Sequence, residues 1–185
     1  LAIVLKKKYD LLFTKGNLNN HIGVPLTLLR MRENHDFALV EMGANKGGDI
    51  QELCEIADPT HGLITNIGIA HIEGFGGKEG IVKTKSEMYR YIIEKKGVLF
   101  VNNNEPYLLP LTQSYPNCHQ YGEGTEFNFQ LEDKGYKLEF SVLGRTIKTN
   151  LFGKYNANNV LSAYVIGKFF GVEINEIINS LEQYR

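Results

Sequence analysis

The sequence predicts an α/β fold, a mainly parallel sheet flanked by helices with a small antiparallel β-meander near its carboxyl end. Three observations predict it. Residues 37–41 (FALVE), 62–67 (GLITNI) and 97–101 (GVLFV) are short, continuous apolar runs bounded by turn residues. Such runs suit strands buried on both faces of a parallel sheet. Helical patterns separate them, which implies right-handed βαβ units. After about Tyr121 the texture changes to stretches that partly alternate, at 126–131, 136–142 and 146–151. These read as an added antiparallel meander.

In chain order, residues 1–8 read as the end of a helix feeding a strand at 11–14. Pro25 can occupy the first turn of a helix through Leu26, Leu28, Leu29 and Met31. Asp49 can cap a helix carrying Ile50, Leu53, Cys54 and Ala57, which must stop before Pro59. Residues 80–94 form a third helix. Asp133-Lys134-Gly135 and Leu143-Gly144-Arg145 supply the meander's turns. Two helices close the chain, at 157–170, stopped by Gly171, and at 174–184. The expected organisation is one domain over 1–185, its parallel part at about 1–121 and 152–185 and its meander at about 125–151.

Composition narrows the function. With 20 Lys and Arg against 21 Asp and Glu, the net charge is −1. A general nucleic-acid binder would carry a basic excess. No apolar run approaches the roughly 20 residues that span a bilayer, and no signal-peptide pattern opens the chain. Two distant cysteines, Cys54 and Cys118, cannot build a disulfide framework and fit a reducing cytoplasm. Glycine and asparagine are frequent and clustered, and the clusters are where chemistry is to be sought.

The first cluster, Thr14 to Pro25 (TKGNLNNHIGVP), lies between a strand and a helix. Its asparagines can contact a ligand at the sheet's carboxyl edge or satisfy their own turn. Glu41 ends a strand and faces the crevice where such folds bind ligands. It suits Mg²⁺, which takes one or two carboxylates and keeps its waters; a capping role is the alternative. His71 follows the next strand, and it shares that crevice if the two strands are neighbours. Lys85 is placed by the helical wheel near the middle of the apolar face of Ile81, Val82, Met88, Tyr89, Ile92 and Ile93. An ammonium there must be paired, neutralised or modified, or must snorkel to solvent. Lys83, Glu87 and Arg90 lie on the opposite side. Asn156 is a candidate N-cap of the penultimate helix, and Asn159, one turn on, a candidate for a base edge.

In order, TKGNLNNHIGVPLTLLR, ALVEMGANKGGDI, LITNIGIAHIEGFGGKEGIVKTKSEMY and GKYNANNVLSA resemble the central domain of the Mur ligases, bacterial ATP-dependent amide-forming enzymes of peptidoglycan synthesis. The first and third stretches resemble most the branch that joins D-Ala-D-Ala to UDP-MurNAc-tripeptide. The resemblance implies a P-loop-NTPase-like domain. It implies Glu41 as the acid on the Mg²⁺ that bridges the ATP phosphates, and His71 as a ligand of a second Mg²⁺. It implies Lys85 as a carbamylated lysine whose new carboxylate helps hold that second ion. It further implies that Asn159 contacts adenine with Asn156 beside it, and that Asn19 and Asn20 lie near the muramoyl-peptide substrate.

The implied reaction forms an acyl phosphate from the tripeptide carboxylate and ATP, which the amine of D-Ala-D-Ala then opens. No G-x-x-x-x-G-K-[ST] phosphate loop occurs in the chain, although the family carries one on the first strand–helix turn of this domain. The expectation is therefore a ligase fragment, truncated at its amino end, without its flanking domains and inactive alone. Other readings are a non-catalytic nucleotide- or metabolite-binding module, another Mur-type ligase such as folylpolyglutamate synthetase, and a metal-dependent hydrolase built on Glu41 and His71.

Overall fold

The structure, a computed structural model, describes residues 1–68, 75–132, 138–153 and 155–184. The chain falls into two compact units. One comprises Asp10–Val101 and Glu105–His119, the other Leu1–Tyr9, Asn102–Asn104 and Gln120–Arg185. The chain opens with a short helix, α1 (Ala2–Leu5), which belongs to the latter.

In the first of these units, β1 (Leu11–Phe13) and β2 (Phe37–Leu39) pair in parallel, with Leu11 opposite Phe37 and Phe13 opposite Leu39. β1 is buried, but Ala38 is exposed and its neighbours half-buried, so β2 lacks the two-sided burial its apolar run predicted.

Between them lies α2 (Gly23–Leu28), with Pro25 in its first turn as expected. The helix stops before Leu29 and Met31, which stand 80% and 52% exposed. Only Gly23, Val24 and Thr27 face the interior, so the apolar periodicity overstates the helix's buried stripe.

α3 (Asp49–Ala57) buries Ile50, Leu53 and Cys54, the apolar face expected of it. Asp58 then turns left-handed (φ 42°) before Pro59 and ends the helix. The start differs from expectation. Gly48, at φ 88°, is the N-cap, and Asp49 is already helical. The Asp49 carboxylate instead accepts the N–H groups of Asn45 and Lys46 at 2.9 and 3.1 Å, holding the turn that leads in.

The second sheet has the order β3-β4-β5, with β3 (His61–Leu63) parallel to β4 (Val98–Asn102) and Gly62 opposite Leu99. α4 (Lys78–Glu94) joins β3 to β4, and α5 (Leu109–Thr112) precedes β5 (Cys118–Tyr121). The core gathers Ile50, Cys54, Ile81, Tyr89, Ile92 and Leu99. Each fully buried aliphatic side chain contributes about 1.5–3 kcal/mol. Parallel sheets flanked by helices are thus as the sequence predicts.

In the other unit, β6 (Phe129–Glu132), β7 (Glu139–Val142) and β8 (Arg145–Lys148) form the expected antiparallel meander. Arg145 pairs with Val142, so the second turn is two residues, Leu143 (φ 49°) and Gly144 (φ 73°). Two successive positive φ values give a turn whose twist matches that of the strands. The first turn, Asp133-Lys134-Gly135, lies outside the described residues.

α6 (Tyr155–Phe169) is buried continuously from Val160 to Gly167, and Gly171 (φ 70°) follows its end. α7 (Ile174–Gln183) packs beside it with α1, burying Val4 and Ile177 completely. Lys7 and Glu176 form an exposed ion pair at 3.2 Å across that contact. Among the described residues, no helix is long and apolar enough to cross a membrane.

Candidate functional site at the carboxyl ends of the parallel strands

Glu41 lies two residues beyond β2, exposed at the strand's carboxyl end. Two residues fix it. Its N–H donates to Oγ1 of Thr14, just beyond β1, at 2.9 Å. Its Oε1 accepts the side-chain amide of Asn19 at 3.0 Å. The Asn19 carbonyl in turn receives the Gly43 N–H at 2.7 Å, so the asparagine clamps the chain on both sides of Met42.

Asn20 behaves differently. Its Oδ1 accepts the N–H groups of Ile22 and Gly23 at 3.1 and 2.9 Å and so caps the start of α2. Gly23 is required there by close approach, because a Cβ would sit 2.3 Å from the Leu18 carbonyl carbon. Of the Asn-rich loop, then, Asn19 reaches the candidate metal ligand, while the oxygen of Asn20 serves the helix.

Lys85 is half-buried on α4 between Ile81, Tyr89 and Ile92, which are 2%, 0% and 0% exposed. Its amine donates to the carbonyl of Asn66, beyond the end of β3, at 2.7 Å. Desolvation lowers the pKa of the ammonium below the ordinary lysine value, and the nearby Glu105 carboxylate opposes that shift. One turn on, the Tyr89 hydroxyl donates to the carbonyl of Phe100 on β4 at 2.7 Å. α4 is therefore fixed against the sheet with the Lys85 amine at its carboxyl end.

Glu87 leaves α4 on the side opposite Lys85, as the wheel has it, and there its carboxylate accepts the N–H groups of Gly48 and Gln51 at 2.8 and 3.0 Å. It caps α3 from the neighbouring helix, the role the sequence assigns to Asp49. A cap supplied by another helix leaves no local pattern to find.

His71 lies outside the described residues. Among the described residues β2 pairs with β1 and β3 with β4, and no ladder joins β2 to β3. No group of three or more His, Cys, Asp or Glu side chains that could hold a metal is found among the described residues. Glu41 nevertheless suits a Mg²⁺ ion: it is a single exposed carboxylate with one oxygen fixed by an amide, and the ion can keep most of its waters.

In the other unit, α6 starts at Tyr155, so Asn156 is its second residue rather than its N-cap. The Asn156 amide donates back to the carbonyl of Phe152 at 2.8 Å. Asn159 is exposed, and its amide approaches Oδ1 of Asn156 at 3.4 Å. Asn158, which the motif reading passed over, receives the Asn104 amide at 2.8 Å and ties the helix to the turn after β4.

The family model described as Mur ligase middle domain matches residues 1–167. The UDP-N-acetylmuramoyl-tripeptide–D-alanyl-D-alanine ligase of Bacillus subtilis (strain 168) is 38% identical over 176 residues, covering 91% of this chain and 37% of that protein. The Escherichia coli (strain K12) protein of that name is 30% identical, over 95% of this chain and 41% of its own length. The chain thus spans about two fifths of the length of these relatives.

Among solved structures, MurF from Acinetobacter baumannii superposes with a TM-score of 0.84 at 30% identity, over 100% of this chain and 42% of that one. MurF ligase from Thermotoga maritima, solved in complex with ADP, gives 0.84 at 26% identity, over 98% and 44%. Sequence and fold agree over almost the whole length, and the chain belongs to the Mur ligase family, of which it is a middle domain.

Proposed function

We propose that this chain is the central domain of an ATP-dependent ligase that adds D-Ala-D-Ala to UDP-MurNAc-tripeptide in bacterial peptidoglycan synthesis. In this reading it acts in the cytoplasm within a polypeptide of its relatives' length, whose flanking domains supply the remaining contacts, and it is inactive alone. The observation that carries the reading is Glu41, held by Asn19 beyond a parallel strand, in a chain 38% identical over 91% of its length to a ligase of that name. ADP in the Thermotoga maritima relative supports ATP as the nucleotide.

The tripeptide carboxylate attacks the γ-phosphorus, the bond to ADP breaks, and an acyl phosphate forms. The D-Ala-D-Ala amine then adds to the acyl carbon, phosphate leaves, and the nitrogen loses a proton. Mg²⁺, when bound, offsets the negative charge that moves in both steps. Glu41 would hold one ion through the oxygen that Asn19 leaves open. His71 and Lys85 would hold a second.

For that role Lys85 must be carbamylated: its neutral nitrogen bonds to the carbon of CO₂, and a proton departs. Desolvation of the ammonium favours the neutral amine this requires. Asn159 would meet the adenine with Asn156 beside it. Asn19 and Asn20 retain an Oδ1 and an Nδ2, respectively, to face the muramoyl peptide.

The test is an assay of the complete ligase for ATP-dependent joining of D-Ala-D-Ala to UDP-MurNAc-tripeptide, read by product mass and phosphate release. Pentapeptide product is expected. Release of phosphate only with glutamate and a folate, or no turnover with any dipeptide, overturns the proposal.

A further inference from the structure

We infer that Glu87 is a positioning residue of this site, setting the helix that carries Lys85 against the turn that follows Glu41. The inference rests on the ligase reading above. Lys85 and Glu87 are two residues apart, so at about 100° per residue they leave α4 on opposite flanks. On one flank the Lys85 amine holds the Asn66 carbonyl. On the other, the two oxygens of Glu87 hold the N–H groups of Gly48 and Gln51 at 2.8 and 3.0 Å.

Those two donors begin α3, and the turn before them starts directly after Glu41. It is tied at each stage. Gly43 donates to Asn19, Asn45 and Lys46 donate to Asp49, and Gly48 donates to Glu87. A purely local cap would come from α3 itself or from the turn. This one comes from the helix of the candidate carbamate lysine. The separation of Glu41 from Lys85 therefore depends on a carboxylate whose two oxygens are both engaged by backbone N–H groups. Removing groups that hold metal ligands in place typically lowers metal affinity 10- to 100-fold.

Glu87→Gln keeps the length but can accept only one of the two N–H groups, and Glu87→Ala accepts neither. In the complete ligase, both variants and Lys85→Ala are compared with wild type for kcat, Mg²⁺ half-saturation and KM for D-Ala-D-Ala. Mn²⁺ binding followed by electron paramagnetic resonance, amide exchange at Gly48 and Gln51, and Tm provide readouts besides activity. For Glu87→Gln the expected result is Mn²⁺ affinity and kcat lowered about tenfold, with KM for the dipeptide unchanged. Exchange at Gly48 and Gln51 is faster, and Glu87→Ala exceeds Glu87→Gln in each effect.

If Glu87→Gln lowers only Tm, and leaves Mn²⁺ binding and Mg²⁺ half-saturation as in wild type, Glu87 is a helix cap and the inference is overturned. Should Glu87→Ala fail to fold, Glu87→Gln decides alone. If wild type shows no ligation, the ligase reading fails first and this inference with it; if wild type ligates and Lys85→Ala ligates as well, the ligase reading stands and this inference, which needs Lys85 in the site, is overturned.

Discussion

The side-chain amide of Asn19 donates to Oε1 of Glu41 at 3.0 Å, while the Asn19 carbonyl accepts the Gly43 N–H at 2.7 Å. One residue of the glycine- and asparagine-rich loop thus fixes both the rotamer of the candidate metal ligand and the backbone just past it. Asn19→Ala removes the first contact and spares the second. Because the bond is exposed, about 1 kcal/mol or less of stability is expected to be lost in urea unfolding. Divalent-ion affinity is expected to fall 10- to 100-fold. Mn²⁺ titration by electron paramagnetic resonance checks this; unchanged affinity would remove Asn19 from the site.

Lys85 carries a pH signature. Desolvation lowers its folded pKa below the ordinary lysine value of 10.5. Below the folded pKa both states carry the ammonium, and folding bears the full desolvation cost. Between the folded pKa and 10.5 the unfolded chain binds more protons, so stability rises with pH across that window. Lys85→Met removes this dependence. The variant is expected to match or exceed wild type in denaturant midpoint at pH 7, with wild type gaining on it as pH approaches 10. In the complete ligase Lys85→Ala is expected to abolish ligation, with bicarbonate unable to restore it; retained turnover would refute the carbamate role.

What could be read from the sequence was what is local. Glu41 at the end of an apolar run and Lys85 inside an apolar helix face both follow from periodicity, and the structure puts both at carboxyl ends of parallel strands. Pro25, Pro59 and Gly171 marked boundaries because their backbone preferences act on adjacent residues. The capping role of Glu87 was not legible because its partners, Gly48 and Gln51, lie 39 and 36 residues away. The wheel reports only which way a side chain leaves its own helix. α2 was overextended for a related reason. Leu26 and Leu29 keep helical spacing, but no described element covers them or Met31, so spacing alone did not make a buried face.

Gly23 tests whether the loop's geometry is set by contact. An added Cβ would lie 2.3 to 2.6 Å from the backbone of Leu18, atoms that cannot rotate away. Gly23→Ala is expected to cost about 1–3 kcal/mol, as other overpacked sites do. Because Leu18 immediately precedes Asn19, the strain also shifts the amide that holds Glu41. Unfolding in urea reads the first effect and Mn²⁺ titration the second. Full stability in Gly23→Ala would show that the loop can move aside.

Tyr89 separates stability from positioning on the same helix. Its ring is fully buried, and its hydroxyl donates to the Phe100 carbonyl at 2.7 Å. Tyr89→Phe keeps the ring and deletes that hydrogen bond together with the longer one the hydroxyl accepts from the Ile64 N–H at 3.4 Å. The expected cost is about 1–2 kcal/mol, because a buried carbonyl loses a partner that water cannot replace. The backbone path of α4 is still fixed by Ile81, Ile92 and the Glu87 cap, so Lys85 stays where it is. Mg²⁺ half-saturation of the complete ligase is therefore expected to remain that of wild type while the denaturant midpoint falls. Glu87→Gln should do the reverse, shifting ion dependence more than stability. If Tyr89→Phe moves the ion dependence as far as Glu87→Gln does, general loosening of α4 would explain both, and the specific role of Glu87 would be lost.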